Sequence, residues 1–170
     1  MRTIVSLVLL AHVAICMGEE IESVESMVVT RKCNPSKDLP VQLIFAAFTY
    51  FNGQHAYPID LSRPSILFAY FNNSRSVYEN VIMDAELQRK VQFFGLSKWA
   101  TLPTFGFFTG IEVGTIPSGT VDFKVPIQSD NFPQTLQSVL GQGHYMLKVM
   151  LKTGDRQQEI LCNMVEFKAL

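Results

Sequence analysis

The stretch of sequence that decides the fold is Val121-Asp122-Phe123-Lys124-Val125-Pro126-Ile127. Its odd positions are apolar and its even positions are polar or proline, which is the two-residue period of a strand with one buried face. Because Pro126 has no backbone N–H to donate to a ladder, we expect this strand to lie near the edge of a sheet. The stretch therefore predicts a half-buried edge strand.

The same period recurs toward the end of the chain. Residues 144–152 alternate, with Tyr145, Leu147, Val149 and Leu151 in the apolar phase, and residues 161–167 have the pattern of another strand. Gly154-Asp155 lies between the two segments and indicates a hairpin whose loop is longer than the tightest type.

Earlier in the chain the pattern is less direct. Residues 43–51 and 66–71 are apolar on both faces, which favours central strands but is also compatible with a buried helix. Residues 81–93 include good helix formers, yet their odd positions are apolar except Arg89. Because burial outweighs propensities of about a few tenths of a kcal/mol per residue, we expect a strand there. The one helical turn expected lies in residues 133–140.

The first residues have the pattern of a secretory signal peptide. Arg2 precedes an apolar run from Ile4 to Ile15, and the small residue Gly18 stands before two glutamates. The run is shorter than the roughly 20 residues that cross a bilayer, which disfavours the alternative of a membrane anchor. We therefore expect residues 1–18 to be a signal peptide, residues 19–170 to form one domain, and the protein to be secreted or lysosomal.

Charge and chemistry narrow the range of functions. The chain has 14 basic and 15 acidic residues and no basic block, which argues against nucleic acid as a partner. His55 and His144 are far apart, no catalytic or metal-binding motif occurs, and no pair of carboxylates stands out. We therefore expect no catalytic residue, no metal, no cofactor and no enzymatic activity; a carboxylate-dependent hydrolase is the least favoured alternative.

Two cysteines follow the signal segment. Cys33 lies near the start of residues 19–170 and Cys162 near their end, 129 positions apart. In an oxidising compartment an isolated pair is expected to form a disulfide; two independent thiols are the alternative. Asn72-Asn73-Ser74 is a glycosylation sequon, whereas Pro35 blocks the one at Asn34. Strands at short spacing, turn residues between them and joined ends together predict an all-β sandwich.

Residues 99–110, W-A-T-L-P-T-F-G-F-F-T-G, contain four large aromatic residues among proline and glycine. An irregular segment with this much apolar surface must pack on the core, cover a cavity or contact an apolar partner. The sequence leaves these alternatives open.

Several motifs occur in the order seen in one known family. They are Ile116-Pro117, the stretch 121–126, Phe132-Pro133 with Leu136, Gly143-His144-Tyr145, Ile160-Leu161-Cys162 and, near the other end, residues 33–41 and Pro58-Ile59. In these motifs the chain resembles the ganglioside activator proteins of the ML (MD-2-related) lipid-recognition superfamily. The activators usually have further cysteines mid-chain, and this sequence has none between Cys33 and Cys162.

The resemblance implies an immunoglobulin-like β-sandwich or β-cup with an internal apolar cavity, and a disulfide between its first and last strands. It further implies that a lipid is held between the sheets and presented to a membrane, a glycolipid hydrolase or a receptor. The residues expected to line the cavity are Phe45, Phe48, Phe68, Tyr70, Phe93, Phe123, Tyr145 and Leu147. Those expected at its mouth, in transient contact with membrane, are Trp99, Phe105, Phe107 and Phe108.

Two other functions fit the same sequence. One is a secreted binding module for a pheromone or a microbial lipid, acting in chemosensation or innate immunity through the same cavity. The other is an interaction domain whose core is fully packed, and a structure without a void between the sheets would favour it.

Overall fold

The computed structural model describes residues 28–170 of the protein. The predicted signal peptide, residues 1–18, lies outside them. Within the described residues the chain forms two antiparallel sheets and almost no helix. The strands are β1 (Val29–Lys32), β2 (Val41–Tyr50), β3 (Ser65–Asn73), β4 (Tyr78–Phe93), β5 (Leu96–Thr101), β6 (Ile111–Ile116), β7 (Gly119–Ile127), β8 (Gly143–Lys152) and β9 (Glu159–Ala169). The all-β fold predicted from the sequence is thus confirmed.

The larger sheet has the order β1-β9-β8-β4-β5, and β6 pairs with the first half of β4. The smaller sheet has the order β2-β3-β7, so β7 is an edge strand, as the position of Pro126 predicted. The segment with helix-forming residues, 81–93, belongs to the long strand β4. Its alternation of apolar and polar positions therefore outweighed its helix propensity.

The strand register determines which side chains face inward, because residues paired across a ladder point to the same face. In the smaller sheet Phe71 pairs with Val121, Ala69 with Phe123 and Leu67 with Val125. Because the apolar residues of β7 face inward, their partners Leu67, Ala69 and Phe71 in β3 face inward as well. In β2 a bulge at Ile44 shifts the register, so the inward positions change from Val41 and Leu43 to Ala46, Phe48 and Tyr50.

The core between the sheets is divided into two clusters. One contains Phe48, Leu136, Tyr145, Val165 and Phe167. The other, toward the opposite ends of β8 and β9, contains Phe71, Val81, Ile116, Leu151 and Leu161. The aromatic rings of the first cluster are close together, with 5.1 Å between the ring centroids of Phe48 and Phe167 and 5.7 Å between those of Tyr145 and Phe167. The space between the two clusters is where a cavity is found.

The ends of the described chain are joined covalently. Cys33, directly after β1, forms a disulfide with Cys162 in β9, which confirms the predicted bond. The hairpin expected around Gly154-Asp155 joins β8 to β9, and the expected helical turn is the short helix α1 (Gln134–Gln137). None of the helices within residues 28–170 has the length and apolar character that crossing a bilayer requires.

Candidate ligand cavity

A cavity of about 310 Å³ lies between the two sheets. This volume is within the range of small-molecule sites, roughly 300 to 1,000 Å³. The walls come from the inward phase of the strands: Leu67, Ala69 and Phe71 in β3, Phe123 and Val125 in β7, and Tyr145, Leu147, Val149 and Leu151 in β8. The inner faces of the sheets therefore stand apart in this region instead of filling it with their own side chains.

Small side chains make the space. Ala46 and Ala69 are cross-strand partners that both line the cavity, so two neighbouring inward positions of the smaller sheet carry only a methyl group. On the opposite wall Ala85 of β4 also lines the cavity, between Met83 and Leu87. Were these three positions occupied by Leu or Phe, their side chains would extend into the space that is now open. Sequence reasoning missed the three alanines because it looked for large apolar residues.

The lining is almost entirely apolar and contains no charged residue. Tyr145 lines the cavity with its ring, but its hydroxyl donates a hydrogen bond to Gly141 O (2.7 Å) and accepts one from Gly141 N (3.0 Å). Three amide side chains complete the lining: Gln128, Asn131 and Asn163. Such a surface binds hydrocarbon through burial and offers ionic groups no partner.

The cavity reaches the surface between the irregular loop 102–110 and residues 126–132. Phe107 and Asn131 line the cavity and are themselves exposed. Phe107, Phe108 and Phe132 form an edge-to-face cluster at this opening, with ring centroids 5.0 to 6.0 Å apart. The mouth is therefore aromatic, with amides of Gln128 and Asn131 beside it.

Four of the eight residues expected along the cavity line it: Phe48, Phe123, Tyr145 and Leu147. At the mouth, Phe107 and Phe108 line the cavity, whereas Phe105 occupies an exposed turn of the same loop with 73% of its surface accessible. That these side chains contact a ligand or a membrane stays a prediction.

Phe45, Phe68 and Tyr70 do not face the cavity, which corrects the expectation. Phe68 pairs with Lys124 and Tyr70 with Asp122, both on the polar face of β7, so these two rings lie on the outer face of the smaller sheet. Phe45 pairs with Tyr70 on that outer face because of the bulge at Ile44, and 53% of its surface is exposed. A strand that is apolar on both faces does not reveal its inward phase.

Phe93 and Trp99 are also displaced from their expected positions. Phe93 lies at the tip of the β4–β5 hairpin, beyond the last residue of β4 that pairs with β8, and is exposed. Trp99 belongs to β5, where it pairs with Lys90 on the polar face of β4. There it lies beside Arg31, Met146 and Met164 on the outer face of the larger sheet, away from the mouth.

Arg89, the one polar residue in the inward phase of β4, holds the segment before β8. Its guanidinium donates hydrogen bonds to Gln142 O (2.8 Å) and Val139 O (3.4 Å). Leu140, in the same segment, lines the cavity. Arg89 breaks the alternation of apolar and polar residues in β4, and its hydrogen bonds hold in place the segment that forms one end of the cavity wall.

The loop that carries the mouth aromatics is attached to β4 at both ends. Leu102 N donates a hydrogen bond to Leu87 O, and Ala85 N donates one to Phe108 O at 2.7 Å. Asp84 accepts a hydrogen bond from Gly110 N (2.8 Å) and forms an ion pair with Lys152 (2.8 Å). The hydrogen bond from Lys152, followed by that from Gly110, holds the pKa of Asp84 below its ordinary value of 3.8.

We expect replacement of Asp84 by alanine to remove an acid-dependent part of the stability. Because the folded-state pKa is lowered, the contribution is complete above about 3.8 and is lost as the pH falls through the folded-state pKa. Asp84→Ala should lower the free energy of unfolding by about 1–2 kcal/mol at neutral pH and by less near pH 2.5. Urea unfolding of both proteins at the two pH values measures the difference.

Asp122→Ala is the matched control. Asp122 lies 3.9 Å from Lys124 and both side chains are exposed, so its removal should change the free energy of unfolding little at either pH. An Asp84→Ala effect of equal size at neutral and acid pH would contradict the role assigned to the carboxylate.

Among residues 28–170, no group of three or more His, Cys, Asp or Glu side chains is placed to hold a metal ion. Asn72, in the predicted sequon, lies half-buried in β3 with its backbone paired to Gln42 and Thr120. Glycosylation of Asn72 stays a prediction.

No protein-family model and no curated protein matches the chain. Among solved structures, it is similar to the C-terminal domain of wzt, with 9% identity over 86% of this chain and 78% of that one and a TM-score of 0.43. It is also similar to a Niemann-Pick type C2 protein from Japanese carpenter ant, with 10% identity over 85% and 90% and a TM-score of 0.37. A third similarity is to chicken MD-1 complexed with lipid IVa, with 14% identity over 85% and 90% and a TM-score of 0.39. At these values the similarities carry no argument about family or function.

Proposed function

We propose that the protein is a lipid-binding protein of the ML type that holds an acyl chain or a similar apolar ligand between its two sheets. The observation that carries the proposal is the open, uncharged cavity lined by the inward phases of both sheets. A domain that served only as an interaction scaffold would fill this space with its own side chains, because protein interiors are normally close-packed.

The cavity walls supply the binding energy without any charged contact. Each methylene transferred from water to an apolar environment contributes about 0.8 kcal/mol, so ten of them give on the order of 8 kcal/mol before the entropic cost of binding. A polar headgroup would remain at the mouth, next to Gln128 and Asn131, where water is accessible. The arrangement fits an amphiphile that enters with its hydrocarbon end first.

Transfer of the lipid to a membrane, an enzyme or a receptor is part of the proposal. Phe105 and Phe107 expose apolar rings on the loop beside the mouth, where they are available for contact with a bilayer. The signal-peptide pattern supports export, either to the extracellular space or to the lysosome, and the ordered motifs favour the role of a sphingolipid activator. A role in binding a pheromone or a microbial lipid uses the same cavity and differs in the identity of the ligand.

The test is to express the full chain through a secretory pathway, extract the purified protein with organic solvent and identify the extract by mass spectrometry. We expect a lipid in near-stoichiometric amount, and saturable uptake of a fluorescent fatty acid after delipidation. Movement of that probe between vesicles in the presence of the protein measures transfer. A preparation that is free of lipid and takes up no probe would overturn the proposal.

A further inference from the structure

Asn163 is the only polar side chain on the inner face of β9 between Leu161 and Phe167, and it lines the cavity. Only 6% of its surface is exposed to solvent. Leu161 on one side of it belongs to one core cluster and Val165 on the other side belongs to the other. The amide therefore lies where the packed core is interrupted.

This amide lacks a protein partner. No hydrogen bond joins the side chain of Asn163 to any residue within 28–170, whereas the hydroxyl of Tyr145, also on the cavity wall, is bonded twice to Gly141. A buried amide without a partner is costly, and proteins normally satisfy such a group. Its cross-strand neighbours are Val149 in β8, whose side chain has no hydrogen-bonding group, and Lys32 in β1, whose exposed side chain makes no hydrogen bond to the amide. The open space of the cavity is the direction from which a partner can reach it.

We propose that Asn163 is a specificity-determining residue that selects ligands with a hydrogen-bonding oxygen inside their hydrocarbon body. An amide presents both donors and an acceptor, so it complements a hydroxyl group, which is itself donor and acceptor. The inference rests on the proposed lipid-binding function and specifies the ligand class. The ligand class is that of oxygenated lipids, in which a hydroxyl or keto group enters the cavity together with the hydrocarbon.

Two kinds of lipid share this chemistry. A fatty acid with a mid-chain hydroxyl would keep its carboxylate at the mouth and place the hydroxyl at Asn163. A sterol would instead enter with its hydroxyl first. In both cases a ligand without the oxygen leaves the amide unpaired, and sites built to hydrogen-bond a ligand hydroxyl reject analogues that lack it.

The experiment measures displacement of a fluorescent fatty acid from delipidated full-length protein by two matched pairs of competitors. The first pair is stearic acid and its mid-chain hydroxylated analogue, and the second is a sterol and the same ring system without the hydroxyl. We expect the oxygenated member of one pair to bind about tenfold more tightly than its partner, and that pair identifies the kind of lipid. In Asn163→Leu, which keeps the size and removes the amide, the ratio should fall to about one.

Val149→Leu is the matched control, because it narrows the cavity beside Asn163 without changing its polarity. This variant should weaken the binding of both competitors of a pair alike and leave the ratio of their affinities unchanged. Equal binding of both members to the unaltered protein, or a ratio that survives in Asn163→Leu, would overturn this inference while lipid binding stands. If no competitor and no fluorescent probe binds the unaltered protein, the proposed function fails and the inference fails with it.

Discussion

Replacement of Ala69 by phenylalanine is expected to weaken lipid binding by about a hundredfold while leaving the sandwich folded. Ala69 faces the cavity beside its cross-strand partner Ala46, so the new ring would occupy the space where hydrocarbon is proposed to lie. A ring that displaces about four methylenes removes about 3 kcal/mol of binding energy, on the order of a hundredfold in affinity. Titration with a fluorescent fatty acid measures the loss, and the double replacement with Ala46→Phe should enlarge it.

The stability of the same variant distinguishes an open cavity from a packed core. Inserting a ring into a close-packed interior costs about 1–3 kcal/mol or more, because neighbouring side chains must leave their preferred rotamers. Inserted into an existing void, the ring gains contacts, and the free energy of unfolding should change by less than about 1 kcal/mol. Urea unfolding of Ala69→Phe therefore tests the interaction-domain alternative directly.

Ile44→Phe is the control for Ala69→Phe. Ile44 is the exposed bulge residue of β2, so a phenylalanine there adds a ring to the smaller sheet without entering the cavity. It should bind lipid as the unaltered protein does. Unchanged lipid binding by Ala69→Phe would mean that the ligand does not lie between the sheets.

The strands that bury one face could be predicted from the sequence, because their alternation reports burial directly. Residues 121–127 gave both the existence of β7 and its inward phase, and residues 144–152 did the same for β8. Within β4 the alternation prevailed over helix-forming residues. The disulfide could be predicted from the two cysteines that follow the signal-peptide pattern, and the structure contains this bond.

The inward phase of the doubly apolar strands could not be predicted in the same way. Phe68 and Tyr70 are large and mostly apolar, as Leu67 and Phe71 are, so composition does not distinguish the two faces of β3. Pairing β3 against the unambiguous phase of β7 would have assigned them correctly, but the register is a tertiary property. The bulge at Ile44 has no signal in the sequence, and it is the reason that Phe45 faces outward.

The candidate site was predicted only in part because a cavity is defined by what is absent. Large aromatic residues mark a core whether or not the core is filled, whereas Ala46, Ala69 and Ala85 create the space. An alanine in a strand is unremarkable until its neighbours across the sheet are known. Asn163 is difficult to predict for a related reason: it is a single polar residue among the alternate positions Leu161, Val165 and Phe167, and such a break in the pattern does not by itself indicate a site.

Removal of the disulfide is expected to have the largest effect on stability. Cys33 and Cys162 are 129 positions apart, and closing a loop of this length restricts the unfolded chain by about 5 kcal/mol in chain-entropy models. Measured losses are usually smaller, so we expect the double variant Cys33→Ala/Cys162→Ala to lose about 3–5 kcal/mol of unfolding free energy. Urea unfolding with and without a reductant measures it, and reduction should destabilise the unaltered protein but not the variant.

Removal of the disulfide should also affect the cavity, because the bond lies next to a strand that forms part of the cavity wall. β1 has only four residues and, among the strands of residues 28–170, pairs with β9 alone; the inner face of β9 lines the cavity through Leu161, Asn163 and Val165. Lys37→Ala is the control, since it removes an exposed 3.0 Å ion pair with Glu159 that also joins the segment after β1 to β9. That variant should lose less than about 1 kcal/mol, because exposed ion pairs contribute little. If the double cysteine variant lost no more than Lys37→Ala, the disulfide would contribute little to the stability of this sandwich, and restriction of the unfolded chain would be excluded as its role.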